Sequence, residues 1–540
     1  MASGVPSSAQ VVVAGGGPVG LAAAVELGRR GIGCLVIEPR ITVSHARPRC
    51  KTINVRSMEH LRRWGIAGRL RDRAPLPPSW SQDAVFCTSL AGRELYRFTG
   101  VLGLAPDGDR FPELGQQAPQ YVLEELLRDV VTELPACRMA TGVRVTGVEQ
   151  DDSGVRVIVT DQASRSAVVT AAYLLGCDGP RSTVREQIGA AYTGEHALRP
   201  NFGMVFRAPG LWRHVRHGPA VHYWIINPAA PALMGPIDLA GTWWIIAFGV
   251  DHQTGEREAL RLLDAAAGTP SGATVLSTDP WTARMQIVDR MRSGRVFLAG
   301  DAAHLNPPFG GHGLNTGLGD AVDLGWKLAA VLDGWGGPAL LDSYQAERRP
   351  IQERVIREAT ANNAVTSPEL LAGHLEDDDE AGQRARRAAA RRIQETKEAE
   401  FHSLELILGV RIAGSPVIAS DVGATGDLVP GALLPHTWLG AGRSLYDELG
   451  DGFTLLLRAP GADYGAIGKA ARTRGVPLKI LDLRGRHAGG PALALIRPDQ
   501  VVAWTGREGP GDGLALIDQV RGAGAGRPGP QLAGATGPWP

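Results

Sequence analysis

The sequence predicts an α/β protein: a parallel sheet assembled from distant parts of the chain, and a smaller α/β unit at the C-terminal end. Three observations predict this. The run Val11-Val12-Val13-Ala14 is short, apolar and unalternating, the pattern of a parallel strand buried on both faces. A second such run, Arg295-Val296-Phe297-Leu298-Ala299, lies far downstream, and each run leads into a glycine-rich turn and a helical pattern. Near the end, two apolar runs at 453–457 and 478–481 flank a helical stretch at 464–473, a strand–helix–strand repeat of its own.

Composition narrows the function classes. A chain of 540 residues predicts two to four domains at roughly 100–200 residues each. With 44% hydrophobic and 21% charged residues it has the composition of a globular protein with a sizeable core. Lys plus Arg total 56 and Asp plus Glu total 56, which excludes a globally basic nucleic-acid binder. The 70 glycines follow no fixed period and point to tight turns and close backbone approach to ligands. Cys34, Cys50, Cys87, Cys137 and Cys177 are scattered and form no C-x-x-C pair, as expected of a reduced intracellular protein. The first ten residues lack the basic start and apolar stretch of a signal peptide. Residues 223–250 are strongly apolar but broken by Pro228, Pro231, Pro236 and Asp238, which suits buried strands and not a membrane span. The expectation is a cytoplasmic protein without membrane or nucleic-acid partners.

The first element carries the sharpest signal. Gly15-Gly16-Gly17-Pro18-Val19-Gly20 follows the Val11 strand, a helical pattern runs over 21–30, and a second strand over 34–37 ends at Glu38. Strand, G-x-G-x-x-G, helix, strand and acid in this order define a dinucleotide site. Gly15 permits the tight turn, Gly17 lets a pyrophosphate approach the backbone, and Gly20 packs helix on strand. The helix N-terminus, entered at Pro18, faces the phosphates, and Glu38 accepts from ribose hydroxyls, with Arg40 two residues on. This motif does not separate NAD from FAD.

The downstream strand leads into Gly300-Asp301, then Pro307-Pro308-Phe309-Gly310-Gly311-His312-Gly313-Leu314-Asn315, with a helical pattern over 315–332. Two strand–turn–helix ligand sites so far apart in the chain suggest one extended cofactor gripped at both ends.

These motifs resemble those of the single-component flavin-dependent aromatic hydroxylases, the family with the para-hydroxybenzoate hydroxylase fold. The glycine motif with Glu38, the segment Gly176-Cys177-Asp178-Gly179-Pro180-Arg181-Ser182, the Gly300-Asp301 loop, and Asp320-Ala321-Val322-Asp323-Leu324-Gly325-Trp326-Lys327-Leu328 with Tyr344-Gln345-Ala346-Glu347-Arg348-Arg349-Pro350 stand in the family's order. Residues 431–522, including Arg497-Pro498-Asp499, resemble the thioredoxin-like C-terminal domain of the phenol and phenylpropionate hydroxylases, though no cysteine follows Cys177. Thiol chemistry is therefore excluded there, and a structural or dimer-forming role is expected.

The resemblance implies a Rossmann-like FAD-binding domain at 1–184 and 285–365, a substrate-binding sheet at 185–284, a helical connector at 366–415 and a thioredoxin-like domain at 416–540. It implies FAD held by Gly15, Gly17, Pro18, Gly20, Glu38, Arg40, Arg49, Gln120, Asp178, Gly300, Asp301, Gly311, His312, Gly313, Leu314 and Asn315. Glutamine is the commoner residue where this chain has His312. Arg49 sits where the family places an arginine against the flavin, and Gln120 where it places a cofactor-contacting glutamine. The implied reaction uses NADH or NADPH and O2 to hydroxylate a small aromatic or polyketide-like substrate, through a flavin C4a-hydroperoxide.

Substrate candidates are Trp224, Trp244 and Phe309, with Pro307 and Pro308 as a donor-free wall and His222 as a base for a phenolic proton. Strand alternation puts His222 and Trp224 on one face and Tyr223 and Ile225 on the other, leaving open which face is the pocket. Asp178 has a duller reading as a turn cap. His214, His217 and His222 lack an acid or thiol partner to make a metal site, and no metal is expected. The arginines at 384–392 read as a solvated helix face. Two alternatives are a flavin-dependent halogenase, whose W-x-W-x-I-P motif is not matched by Trp243-Trp244-Ile245-Ile246, and a non-catalytic FAD-fold binding protein. A homodimer or higher homo-oligomer is expected.

Overall fold

The computed structural model describes residues 4–46, 52–195, 199–306, 309–362, 374–419, 428–440, 442–485 and 490–524. Of the candidate site residues, Arg49, Pro307, Pro308 and the side chain of Phe309 lie outside the described part, as does the glycine- and proline-rich tail from 525.

Strand β1 (Ser8–Ala14) is completely buried from Val11 onward and leads into helix α1 (Pro18–Arg29), where Pro18 occupies the first helical turn. A missing N–H costs nothing at that position. Strand β2 (Cys34–Glu38) is buried throughout. Helix α2 (Val55–Arg63) starts where Asn54 accepts from the Ser57 N–H, a side-chain cap. Strands β3 (Ala84–Cys87) and β4 (Glu94–Phe98) form a hairpin. Helix α3 (Gln120–Glu133) packs against α1 and precedes β5 (Cys137–Thr141). The long strand β6 (Ser166–Gly176) pairs in parallel with β1, which pairs in parallel with β2.

The middle of the chain is antiparallel: β7 (Pro200–Arg207), β8 (His222–Ile225), β9 (Ala232–Pro236) and β10 (Thr242–Phe248). Helix α4 (His252–Ala267) ends at Gly268, whose φ of +73° closes it in the left-handed region. Strand β11 (Thr274–Thr282) follows, and β12 (Val296–Leu298) returns to the first sheet beside β6. The sheet order there is β12-β6-β1-β2-β5. Helices α5 (His312–Leu332) and α6 (Pro338–Asn362) follow, and α5 packs on α1 so closely that a Cβ on Gly325 would stand 2.6 Å from the Glu26 Cβ.

The second sheet has seven strands in the order β11-β7-β10-β9-β8-β3-β4. It is wider than the 185–284 range expected for it, because β3 and β4 come from residues 84–98 and β3 pairs in parallel with β8. Helix α7 (Glu380–Phe401), capped by Asp379, crosses this sheet and packs on β4.

The C-terminal domain is a four-stranded sheet of β13 (Phe453–Leu457), β14 (Leu478–Asp482), β15 (Leu493–Ile496) and β16 (Val502–Gly506), in the order β14-β13-β15-β16. Helices α8 (Gly465–Thr473) and α9 (Gly513–Val520) cover it. Its core is continuous with Trp326 and Ala330 of α5 and Leu340 of α6. Among the described residues no helix is long and apolar enough to cross a membrane, and no group of His, Cys, Asp or Glu could hold a metal ion.

Candidate active site

The first glycine turn is built by exclusion. Gly15 has φ +104°, and a Cβ there would stand 2.3 Å from the Cys177 carbonyl; one on Gly20 would stand 2.0 Å from the Gly15 carbonyl. Gly17 differs, because nothing lies within 4 Å of its Cβ position. Among the described residues no side chain caps α1, so its first-turn N–H groups have no side-chain acceptor, as an anion site requires. Beside the turn, Glu38 accepts from the Gly16 N–H (2.7 Å) with one oxygen and from the Arg40 N–H and Nε (2.9 and 2.6 Å) with the other. Arg40 also reaches Glu124 (2.8 Å), whose pKa is raised by burial against the pull of Arg40 and Arg128. Gln120 lies half-buried in the first turn of α3.

The second turn docks on the first. Gly300, at φ +60°, and Gly317 both press on Val19: Cβ atoms there would come within 2.9 and 2.6 Å of its Cγ2. The two glycine turns, far apart in the chain, therefore share one wall. Asp301 is exposed beside them. Asp178 accepts from the Ser182 hydroxyl and from the Val184 N–H (3.1 Å), so it caps the short helix after β6 while burial raises its pKa.

Asp320, which the sequence analysis recorded in a motif without a role, pins the second turn. It is wholly buried and accepts from the Gly300 N–H (3.1 Å), His304 Nε2 (2.7 Å), Arg348 Nε (2.8 Å) and Gln352 Nε2 (3.1 Å). Burial alone would raise its pKa, but Arg348 and His304 hold it down at about 2. An acid in the middle of an apolar helix was the available signal.

The start of α5 is uncapped by any side chain, with Gly311 at φ +67° before it and no acid in its first turn. Its positive end therefore stays available to an anion. The Asn315 amide is occupied by the protein: Oδ1 accepts from the Asn54 N–H (3.0 Å) and Ser57 Oγ (2.7 Å), and Nδ2 donates to the carbonyls of Thr52 (3.0 Å) and Gly311 (2.6 Å). Asn315 thus ties the loop to α2, while Gly313 and Leu314 stay half-buried. His312 is 3% exposed and lies over Gly310. Its Nε2 has no hydrogen-bond partner among the described residues, and burial lowers its pKa to about 4.

The second sheet presents two different faces. Tyr223 and Ile225 share a core with Trp243, Ile245 and α4 residues Leu262, Leu263 and Ala266. The opposite face carries His222, Trp224, Trp244 and Ile246. Trp244 and Ile246 are half-buried, and the half-buried His222 meets Trp244 edge-on at 5.8 Å. Trp224 is 1% exposed, stacked on Phe86 at 5.4 Å with the Lys397 ammonium 4.5 Å over its ring.

Lys397 and Glu400 received no role from the sequence, where only the arginines at 384–392 read as a solvated helix face. Arg384, Arg387, Arg391 and Arg392 are indeed exposed, but Ala389, Ile393, Lys397, Glu400 and Phe401 form a buried stripe. Lys397 donates to Glu400 (2.6 Å), and the second Glu400 oxygen accepts from the Gly310 N–H (3.1 Å). Burial lowers the Lys397 pKa despite Glu400. One ion pair thereby joins the second sheet to the glycine loop at α5.

Open backbone at Gly17, two uncapped helix N-termini on a common wall and the partnerless His312 nitrogen fit a long anionic dinucleotide. The family comparison agrees: an FAD binding domain matches residues 8–359, and the C-terminal region of aromatic-ring hydroxylases matches 427–522. The chain belongs to the FAD-dependent aromatic-ring hydroxylase family. It is 33% identical to tetracenomycin B2 monooxygenase-dioxygenase of Streptomyces olivaceus, over 94% of this chain and 97% of that protein. A putative polyketide hydroxylase of Streptomyces halstedii is 32% identical over 94% of this chain and 91% of its own. The rebeccamycin biosynthetic enzyme RebC with reduced flavin matches with a TM-score of 0.88 and 35% identity, over 96% of this chain and all of that one. The chain is thus an enzyme of the FAD-dependent aromatic hydroxylase class.

Proposed function

We propose that this enzyme uses NADH or NADPH and O2 to hydroxylate a multi-ring, polyketide-like phenol held between the start of α5 and the His222–Trp244 face. The observation carrying this reading is the Glu400–Gly310 bond, which ties the half-open aromatic face to the uncapped helix end. The polyketide class draws on the putative polyketide hydroxylase of Streptomyces halstedii.

FAD, when bound, would supply the redox chemistry, with NAD(P)H as the two-electron donor and O2 as the source of the inserted oxygen atom, its second atom leaving as water. The chain does the rest. The Gly15–Gly20 turn and the N-terminus of α1 hold the pyrophosphate, and Glu38 accepts from the ribose hydroxyls. The uncapped N-terminus of α5 would favour negative charge on the cofactor ring. His222 accepts the phenolic proton, raising electron density in the substrate ring. Trp244 and Ile246 shield the site from water.

The test is NADH and NADPH oxidation by the purified yellow protein across small phenols and fused aromatic polyketides, with peroxide assayed alongside. Strong stimulation by the fused rings with little peroxide is expected. Stimulation by monocyclic phenols alone would overturn the substrate class, and a flavin that neither nicotinamide reduces would overturn the reaction.

A further inference from the structure

Five charged side chains meet where the C-terminal domain touches α5 and α6. Arg497, in the turn between β15 and β16, is 1% exposed and donates to Glu347 (2.8 Å from each of two nitrogens), to Asp323 (3.1 Å) and to Asp499 (Nε, 3.0 Å). Lys327 donates to Asp323 (2.9 Å) and Glu347 (2.7 Å). Asp323 and Lys327 belong to α5 and Glu347 to α6. Burying five charges costs more than packing apolar side chains of the same size, so such a network is a poor device for stability alone.

The same turn has a second branch. Gln500 adopts φ +70°, an uncommon conformation for a side-chain-bearing residue, and donates to Glu59 while accepting from Arg56. Arg56 also donates to the Asp499 carbonyl (2.8 Å). Arg56 and Glu59 lie on α2, whose Asn54 and Ser57 hold Asn315 in the first turn of α5. One turn of the C-terminal domain thus grips α5 directly at mid-length and, through α2, at its start.

Docking does not need these polar ties. Trp326, Ala330, Trp335 and Leu340 already join the core of Phe453, Leu455, Ile467 and Trp504. On one side the first turn of α5 packs Leu314 against the main core. On the other side, between the two branches, lies a cavity of about 110 Å³ lined by polar groups such as Arg56, His312, Asn315 and Asp499 and by apolar ones such as Ile351 and Leu406. Facing that cavity, the turn is held through Asn315 by the α2 residues Asn54 and Ser57, the end of the branch that Gln500 and Arg56 begin.

We propose that the C-terminal domain acts on the flavin site of its own chain: the turn at 497–500 is a clamp that fixes the start of α5, with Arg497 and Gln500 as positioning residues for the cofactor. This rests on the reading that FAD lies at the N-terminus of α5.

The experiment uses the full chain, FAD-loaded and FAD-stripped, as wild type, Gln500→Ala, Arg497→Lys, Arg497→Met and Arg474→Ala. Arg474 makes an exposed ion pair with Asp518 in the same domain and serves as the control. The readouts are FAD dissociation constant, flavin midpoint potential, and amide exchange over residues 312–319 of the stripped chain. Gln500→Ala should fold normally, yet bind FAD about tenfold more weakly, shift the potential and exchange those amides about tenfold faster, a coupling of ordinary size. Arg497→Met should exceed it, Arg497→Lys should recover part of the loss, and Arg474→Ala should match wild type. If Arg497→Met does not fold, Gln500→Ala carries the test. Wild-type affinity, potential and exchange in Gln500→Ala and Arg497→Lys, with only the melting temperature lowered, would overturn the clamp. A wild-type chain that takes up no FAD would instead overturn the site reading, and exchange in the stripped chain would still decide whether the turn holds α5.

Discussion

His312 shows how much a single buried group can report. Its folded-state pKa of about 4 lies below the usual 6.5 because the ring is buried. Between those values the unfolded chain binds a proton that the folded chain does not. Stability should therefore fall as the pH drops from about 6.5 to 4, by up to about 3 kcal/mol. Denaturant unfolding of the FAD-stripped chain at pH 7 and pH 5 should show this slope, and His312→Gln should flatten it. Asp320 behaves differently, since Arg348 and His304 hold it at about 2. Its contribution is complete above pH 4 and is lost as the pH falls from about 4 through 2. Asp320→Asn leaves Arg348 partly unpaired and should cost about 3–5 kcal/mol in the same assay. The glycine turn, Glu38 and the Gly311–Asn315 loop were readable from sequence because each obeys a local rule of spacing. The partners of Asn315 were not, since Asn54 lies 261 residues away.

Among the elements, α7 departs most from its sequence pattern. Its arginines at 384–392 suggested a solvated face, but Ala389, Ile393, Lys397, Glu400 and Phe401 turn inward, and two of those residues are charged. Glu400→Ala would leave Lys397 buried without its carboxylate and free the Gly310 N–H. The expected results are a lower melting temperature, by a loss of about 3–5 kcal/mol, and a larger fraction of NAD(P)H oxidation ending as peroxide, read by calorimetry and a peroxide assay. At the other glycine turn, Gly20→Ala would drive a Cβ to 2.0 Å from the Gly15 carbonyl. The turn must open, so FAD retention through gel filtration should be lost, as the absorbance of the eluted protein will show.

For the whole molecule, the C-terminal domain completes the core of the FAD-binding domain. Truncation after residue 415 would expose Trp326, Trp335 and Leu340 as one apolar patch. The shortened chain should sediment as aggregates where the full chain does not. The sequence by itself determined the parallel sheet, both glycine turns, the strands of the C-terminal domain and the cofactor class, because each rests on periodicity or on spacing within a few residues. Only the tertiary structure decided that β3 and β4 join the second sheet, that its His222–Trp244 face is the half-open one, and that Lys397, Glu400 and Arg497 are buried. A charged side chain carries no local mark of burial. Its environment is set by partners hundreds of residues away, such as Glu347 for Arg497, and those meet only when the domains pack.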